Sequence, residues 1–374
     1  MSVTRVLTPA AQTLADNGYL LLPAFAEPHA HLDKAFLAER VDNPTGDLLG
    51  AILAMEQARA SITVNDTIER AERAARLLAS NGCTAIRSHV DLTLAGGLSS
   101  VEALIEVRER LRGLVEIQVV ALCAWPSIGP EGANQRALVR EAIAMGIDVV
   151  GGCPHLETDP AAANDSLLTL AAESGLPVDL HTDETLNPSM LALEDLAERV
   201  MSTGFAYSVA ASHCVSLVLQ SEMRQREVAD KVAAAGISVI ALPHTNLFLQ
   251  GRDCQVAMPR AVTAVKALRA AGVNIAAGAD NLQDPFNPMG RGDPLETAGL
   301  MIMTAHVMPN DALDMISVAA RTAMGLGPSQ DHVAVRAATI REAIAFGPAD
   351  RLVVRDVSTL EFSSSETERS HDRG

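Results

Sequence analysis

Residues 176–214 read LPVDLHTDETLNPSMLALEDLAERVMSTGFAYSVAASHC. Two short apolar runs, LPVDLHT (176–182) and YSVAASHC (207–214), bracket a helical stretch, and a histidine stands at the end of each. This is the pattern of a strand, a helical crossover and a second, parallel strand. Runs of the same kind lie on either side at intervals close to thirty residues: YLLLPAF (19–25), CTAIRSHV (83–90), EIQVVALC (116–123), IDVVGGC (147–153), ISVIALPH (237–244) and VNIAAGAD (273–280). They are continuously apolar, as strands covered by helices are. Between them lie patterns such as TIERAERAARLLASNG and REVADKVAAAG, rich in helix formers and closed by glycine. Eight such repeats predict an α/β fold, a (β/α)8 TIM-type barrel. A doubly wound open sheet is the alternative, disfavoured because no G-x-G-x-x-G follows the first run.

The first crossover is about twice the length of the others, so residues 35–65 are expected to add a lid or an extra helix. After the eighth run, DPLETAGLMIMTAHV and DALDMISVAARTAMGL read as two further helices. The expected organisation is a barrel over residues 19–335, a small, reduced β appendage from residues 1–18 and 336–362, and a disordered polar tail over 363–374.

The 374 residues are 48% hydrophobic and 20% charged, which excludes a disordered chain, and the 3% aromatic content leaves the core to aliphatic side chains. Lys and Arg number 29 against 46 Asp and Glu, a net charge of −17 that repels phosphate backbones and anionic membranes. The reading is therefore of no nucleic-acid polymer partner and no membrane. No apolar run approaches the roughly 18 residues of a spanning helix, and no signal-peptide pattern opens the chain, so a cytoplasmic protein is expected. Five cysteines without a C-x-x-C read as reduced thiols. A homo-oligomer is only the common default.

In such a barrel the catalytic residues stand at the C-terminal ends of the strands. His29 and His31 follow the first run in EPHAHLDK, His181 ends the fifth in HTDE, His213 ends the sixth in SHC, and Asp280 ends the eighth in GADN. Positions i and i+2 of a strand face the same side, so the H-x-H pair can share an ion. Neutral imidazoles and a carboxylate suit a divalent metal such as Zn²⁺ or Fe²⁺, with a position left open for a water ionised near neutral pH.

This order of ligands resembles the amidohydrolase superfamily. Some of its members bridge two metals with a carboxylated lysine at the fourth strand. Here the lysines are Lys34, Lys231 and Lys266, none of them there. The resemblance thus implies one divalent metal ion per chain on His29, His31, His181 and Asp280. EPHAHLDK, RSHVDLT, DVVGGCPHLE, HTDE, SHC, LPHTNLFLQGRD and GADNLQDPFNPMG, spanning about residues 20–300, resemble bacterial cytosine deaminase more narrowly. Similar sequences also include enzymes that remove alkylamines from triazine rings.

The resemblance implies that Glu184 carries protons, that His213 hydrogen-bonds the nucleophilic water and the oxygen of the intermediate, and that Asp280 takes the first proton. The alternatives are that Glu184 answers a helix dipole and that His213 is a fourth nitrogen ligand, and the family resemblance favours the catalytic role for Glu184. His89 and Asp91 in HVD are expected to orient a metal ligand by hydrogen bonding. His155 and Glu157 in PHLE serve either structure or substrate. His244 is a pocket-lining candidate, while His306, His332 and His371 are expected to be solvated. Cytosine deaminases read their ring with a glutamine after the third strand, but here that stretch is ALCAWPSIGP, where Trp125 either stacks on a flat ring or packs under a loop. Asn281 replaces the acid that follows the metal-binding Asp, Phe286 replaces the aromatic of a D-P-W segment, and Gln250 offers an amide near the mouth. The expected substrate is a small heterocyclic amine, cytosine-like or aminotriazine-like, that loses an exocyclic amine. N-alkylamine or cyclic-amide hydrolysis is the alternative, and a barrel that binds a ligand without chemistry is the third reading.

Overall fold

The computed structural model describes residues 9–355. Its strands are β1 (Tyr19–Pro23), β2 (Phe25–Ala30), β3 (Cys83–Leu92), β4 (Glu116–Cys123), β5 (Val149–Gly152), β6 (Val178–Thr182), β7 (Val209–His213), β8 (Ser238–Ala241), β9 (Ile275–Ala277), β10 (His332–Arg336) and β11 (Arg351–Val354). Strands β2 to β9 form one parallel sheet in sequence order, with helices in the crossovers. The sheet closes on itself through a parallel bridge between Ala30 and Asp280 and through the Asp280 N–H, which donates to the His29 carbonyl at 3.0 Å. The chain folds as the expected (β/α)8 barrel.

One expectation is corrected. The first apolar run, 19–25, is not a single barrel strand but is divided between two sheets. Tyr19 to Pro23 pair antiparallel with Arg336 to His332, and β10 pairs in turn with β11, making the small sheet. The barrel begins at Phe25, which pairs with Cys83, and its first strand runs through the polar stretch FAEPHA. Ala24 makes the transition, donating its N–H to the Asp331 carbonyl at 3.1 Å. The strand that the near terminus contributes to the small sheet therefore lies at 19–23, after a helix at Pro9–Asp16. Residues 363–374, with His371, fall outside the described residues.

Local chemistry explains the repeating unit. The helix Pro160–Ser174 starts with Asp159 accepting from the Ala162 N–H at 3.0 Å and with proline in its first turn. It ends at Gly175, whose φ of 70° is the left-handed conformation that glycine adopts without strain. The apolar residues of the strands pack beneath these helices in one large buried cluster that includes Ile86, Val119, Leu180, Val239 and Ile275. Inside the barrel, Ala26, Ala85, Ala210, Ile240 and Ala276 meet Ala320, Ala323 and Met324.

The long first crossover carries the expected extra helix, Leu48–Ala58, before Val64–Ser80. After the eighth barrel strand the second expected helix is interrupted. Pro309–Met315 stops before Ser317, whose hydroxyl donates to the Leu313 carbonyl at 2.6 Å, and Val318–Ala323 begins anew. No helix among the described residues is long and apolar enough to cross a membrane.

Candidate active site

The C-terminal ends of the barrel strands converge. His29 lies within β2 and His31 just beyond it, His181 is in β6, His213 ends β7, and Asp280 follows β9. His213 and Asp280 have φ of 69° and 64°, values uncommon for residues other than glycine. Tertiary bonds hold them there: Thr263 Oγ1 donates to the His213 carbonyl at 2.6 Å, and the His31 N–H donates to the Asp280 carbonyl at 3.3 Å. Such conformations persist where the surroundings over-determine them.

His29 Nε2 and His31 Nε2 each lie 3.2 Å from His181 Nε2, and Asp280 Oδ1 lies 3.2 Å from His31 Nε2 and 3.6 Å from His29 Nε2. All four side chains are buried. Burial, then neighbouring charges, lowers all three imidazoles well below their ordinary range, so they are neutral. Among the described residues, neither Asp280 carboxylate oxygen has a hydrogen-bond partner. Three nitrogens and an orphaned buried carboxylate so close together could share a cation, and the set fits a divalent metal.

Beneath the cluster, Asp179 is held ionised: burial raises its pKa, but His89 and Arg87 outweigh it and leave it lowered. An ionised carboxylate only accepts, so Ser212 Oγ donates to Asp179 Oδ1 at 3.0 Å and accepts from His29 Nδ1 at 2.8 Å. His29 is thereby fixed with its proton on Nδ1 and its Nε2 lone pair facing the cluster. Arg87 Nη1 donates to the other oxygen of Asp179 at 2.8 Å. His89 stacks on His29 with ring centroids 3.9 Å apart, and its Nε2 is 3.7 Å from Asp179. The structure separates it from Asp91, which it was expected to accompany. Asp91 faces the cavity and makes a 2.5 Å ion pair with Lys34.

Glu184 Oε1 lies 3.7 Å from His213 Nδ1. The helix-dipole role falls to its neighbour: Asp183 accepts from the N–H groups of Ala192 and Leu193 at 2.8 and 3.1 Å, capping the helix Ala192–Thr203. Burial, then the charge of Asp280, pushes the Glu184 carboxyl well above the usual range. His213 Nδ1 bonds Asn246 Oδ1 at 2.9 Å, and its Nε2 stands 4.0 Å from Asp280 Oδ2. Burial lowers this imidazole to about 4.

A cavity of about 480 Å³ opens onto these groups. Trp125, Asn281 and Phe286 line it, as do His31, His181, Glu184, His213 and Asp280. His155 and Gln250 are not among its lining residues. His155 Nδ1 is turned onto the His181 carbonyl at 3.0 Å, and Gln250 Nε2 donates to the Glu184 carbonyl at 3.1 Å, so both brace the site from behind its wall. Glu157 likewise accepts from Ser127 in the loop after Trp125. His244 does not line the cavity either, and faces Glu296 at 3.7 Å. Asn281 is oriented by Asp284, to which its Nδ2 donates at 2.7 Å, and by Thr245, which donates to its Oδ1 at 3.3 Å.

Sequence reasoning missed Lys34 and the cavity-facing residues of the expected extra helix. The lysine follows H-x-H by three residues and lies 5.6 Å above the Phe286 ring. Burial pulls its pKa down, but Asp33 and Asp91 outweigh this and hold it charged. The outer wall is the helix Leu48–Ala58, which turns Leu48, Ile52 and Met55 to the cavity. The i, i+4, i+7 spacing of those residues was the available signal.

Comparison with known proteins places this geometry. The profile of the amidohydrolase family matches residues 35–330. A pterin deaminase of Rhizobium rhizogenes is 34% identical over 95% of this chain and 84% of its own. The 5-methylcytosine deaminase of Klebsiella pneumoniae, in complex with 5-fluorocytosine, superposes with a TM-score of 0.82 at 31% identity, covering 92% of this chain and 89% of the other. An N-isopropylammelide isopropylaminohydrolase of Burkholderia multivorans superposes with a TM-score of 0.77 at 30% identity, covering 91% and 86%.

Proposed function

The chain belongs to the amidohydrolase family, and from that premise we propose that it is a metal-dependent hydrolytic deaminase that removes an exocyclic amine from a planar nitrogen heterocycle. The observation that carries this reading is Glu184: a buried carboxyl, pushed well above its ordinary range, in the same cavity as the His31–His181–Asp280 cluster. The named activities of the pterin and 5-methylcytosine relatives support it.

His29, His31, His181 and Asp280 would hold one divalent ion, Zn²⁺ or Fe²⁺, which when bound supplies Lewis acidity and makes water a nucleophile near neutral pH. Asp280 and His213 face each other across 4.0 Å. Asp280 takes the proton of the attacking water at a carboxylate oxygen. His213 Nε2, left bare because Nδ1 donates to the Asn246 amide oxygen, accepts from that water and from the hydroxyl it becomes, and so orients both. Glu184, its carboxyl pushed well above the usual range, delivers its proton to the ring nitrogen beside the reacting carbon, and the proton held by Asp280 passes to the exocyclic amine, which leaves as ammonia as the C–N bond breaks. Trp125 and Phe286 offer faces for a flat ring, and Asn281, held by Asp284 and Thr245, meets its edge. His155 and Gln250 act indirectly, through His181 and Glu184.

The expected result for Glu184→Gln is a protein that keeps its metal and loses turnover by about 10²- to 10⁴-fold. Metal content and steady-state rate of the same preparation check this, and an undiminished rate removes Glu184 from the mechanism. The N-isopropylammelide relative favours a second reading, hydrolytic release of an alkylamine. Product analysis separates the two, because ammonia appears only in the first.

A further inference from the structure

We propose that the substrate carries, on the side of the ring away from its amine, a carboxylate that is bound by Arg59. The inference rests on the deaminase reading and extends it to the substrate class.

The cavity exceeds one ring. At roughly 30 Å³ for each water in the liquid, 480 Å³ would hold about sixteen waters, twice the eight non-hydrogen atoms of cytosine. The extra space runs from the metal-ligand cluster toward the outer helix. Along that helix Leu48, Ile52 and Met55 form an apolar stripe, and the next position on the same face is Arg59, which also lines the cavity.

Arg59 is held in place and largely unspent. Its Nη2 donates to Ser99 Oγ at 3.3 Å. The guanidinium lies over Gly96, where an added Cβ would come within 1.9 Å of Nη2, so the absence of a side chain there makes room for it. Of its five N–H donors, that to Ser99 is the one engaged among the described residues, and Arg59 forms no ion pair there.

The nearby acids Asp33 and Asp91 both feel the charge of Arg59, but neither forms an ion pair with it among the described residues. Asp91 pairs with Lys34 at 2.5 Å, and Asp33 accepts from the Asp91 N–H at 3.1 Å. Glu56 faces the same cavity and is exposed to water. In a chain of net charge −17, a fixed guanidinium with free donors inside the substrate cavity is a place for an anion. Asp91 and Glu56 beside it favour a single negative charge over a phosphate dianion. A cation at a helix C-terminus also answers the helix dipole, and the test distinguishes that role.

Two pairs of probes serve: 6-carboxycytosine against 6-hydroxymethylcytosine, and pterin carrying either a carboxylate or a hydroxymethyl group at a carbon of its pyrazine ring. The readouts are kcat/KM for ammonia release and Kd from the emission of Trp125, the one tryptophan of the chain. Binding is read without turnover, so a failed deaminase reading and a failed carboxylate reading give different results. The metal-loaded protein is expected to prefer the carboxylate form of at least one pair by about 10- to 100-fold, the range of a hydrogen bond to a charged group. Arg59→Met brings that ratio near one, and Gly96→Ala, which displaces the guanidinium and keeps its charge, lowers it part of the way. A wild-type protein without the preference overturns the proposal. So does a preference that survives in Arg59→Met, or a variant that loses both forms equally with a lowered melting temperature.

Discussion

Removing the hydroxyl of Ser212 should weaken metal binding without unfolding the barrel. Ser212 Oγ accepts from His29 Nδ1 at 2.8 Å and donates to Asp179 at 3.0 Å, and no other hydrogen bond among the described residues reaches His29 Nδ1. In Ser212→Ala the ring is free to carry its proton on Nε2, the atom that must be bare to meet a cation. Outer partners of metal-binding histidines are commonly worth 10- to 100-fold in affinity, which is roughly 1.4 to 2.7 kcal/mol. Asp179 keeps its 2.8 Å bond from Arg87, so its charge stays paired. Arg87→Met is the contrast: it strands a buried carboxylate and should cost about 3 to 5 kcal/mol of folding stability. The assay is a chelator-buffered metal titration of wild type and Ser212→Ala, with thermal melting of the apoproteins as control. Unchanged affinity in Ser212→Ala would refute the argument that this chain of bonds sets the ligand.

Further outcomes follow from the same contacts. Burial lowers His155 to about 4, against about 6.5 in an unfolded chain. The unfolded state therefore takes up a proton below pH 6.5 that the folded state refuses until about 4, so this contribution to stability is intact above 6.5 and lost across that window, on the order of 3 kcal/mol at its end. Urea unfolding between pH 7 and pH 4.5 should show His155→Gln losing less stability than wild type, and equal losses would count against a buried neutral imidazole. Trp125 is 38% exposed and lines the cavity. Saturating substrate should change its emission, and turnover with an unaltered spectrum would place the ring elsewhere.

The barrel was legible because its strands are continuously apolar and its helices stop at glycine, and the site because its histidines stand at strand ends. The first strand was misplaced for a physical reason. Tyr19 to Pro23 are as apolar as a barrel strand but are drawn into antiparallel pairing with residues far along the chain. The true strand, Phe25–Ala30, includes a glutamate and a proline. Glu27 is tolerated in the interior because its carboxyl group, pushed up to about 8 by burial, accepts the Ala279 N–H at 3.1 Å where the barrel closes. The backing roles of His155 and Gln250 were not legible either, since each is defined by a bond to the backbone of another strand or its loop. Asp91 shares the inward face of β3 with His89, but whether it meets a histidine or Lys34 depends on how far β3 projects beyond β2, which spacing alone does not state.

The central claim is hydrolytic release of ammonia from a heterocyclic amine. Ammonia release from metal-quantified protein across aminopyrimidines, aminotriazines and aminopteridines tests it most directly. The account predicts ammonia from at least one ring system at about one metal ion per chain, abolished in Glu184→Gln. Metal-loaded protein that releases an alkylamine instead, or releases nothing across the panel, would contradict it.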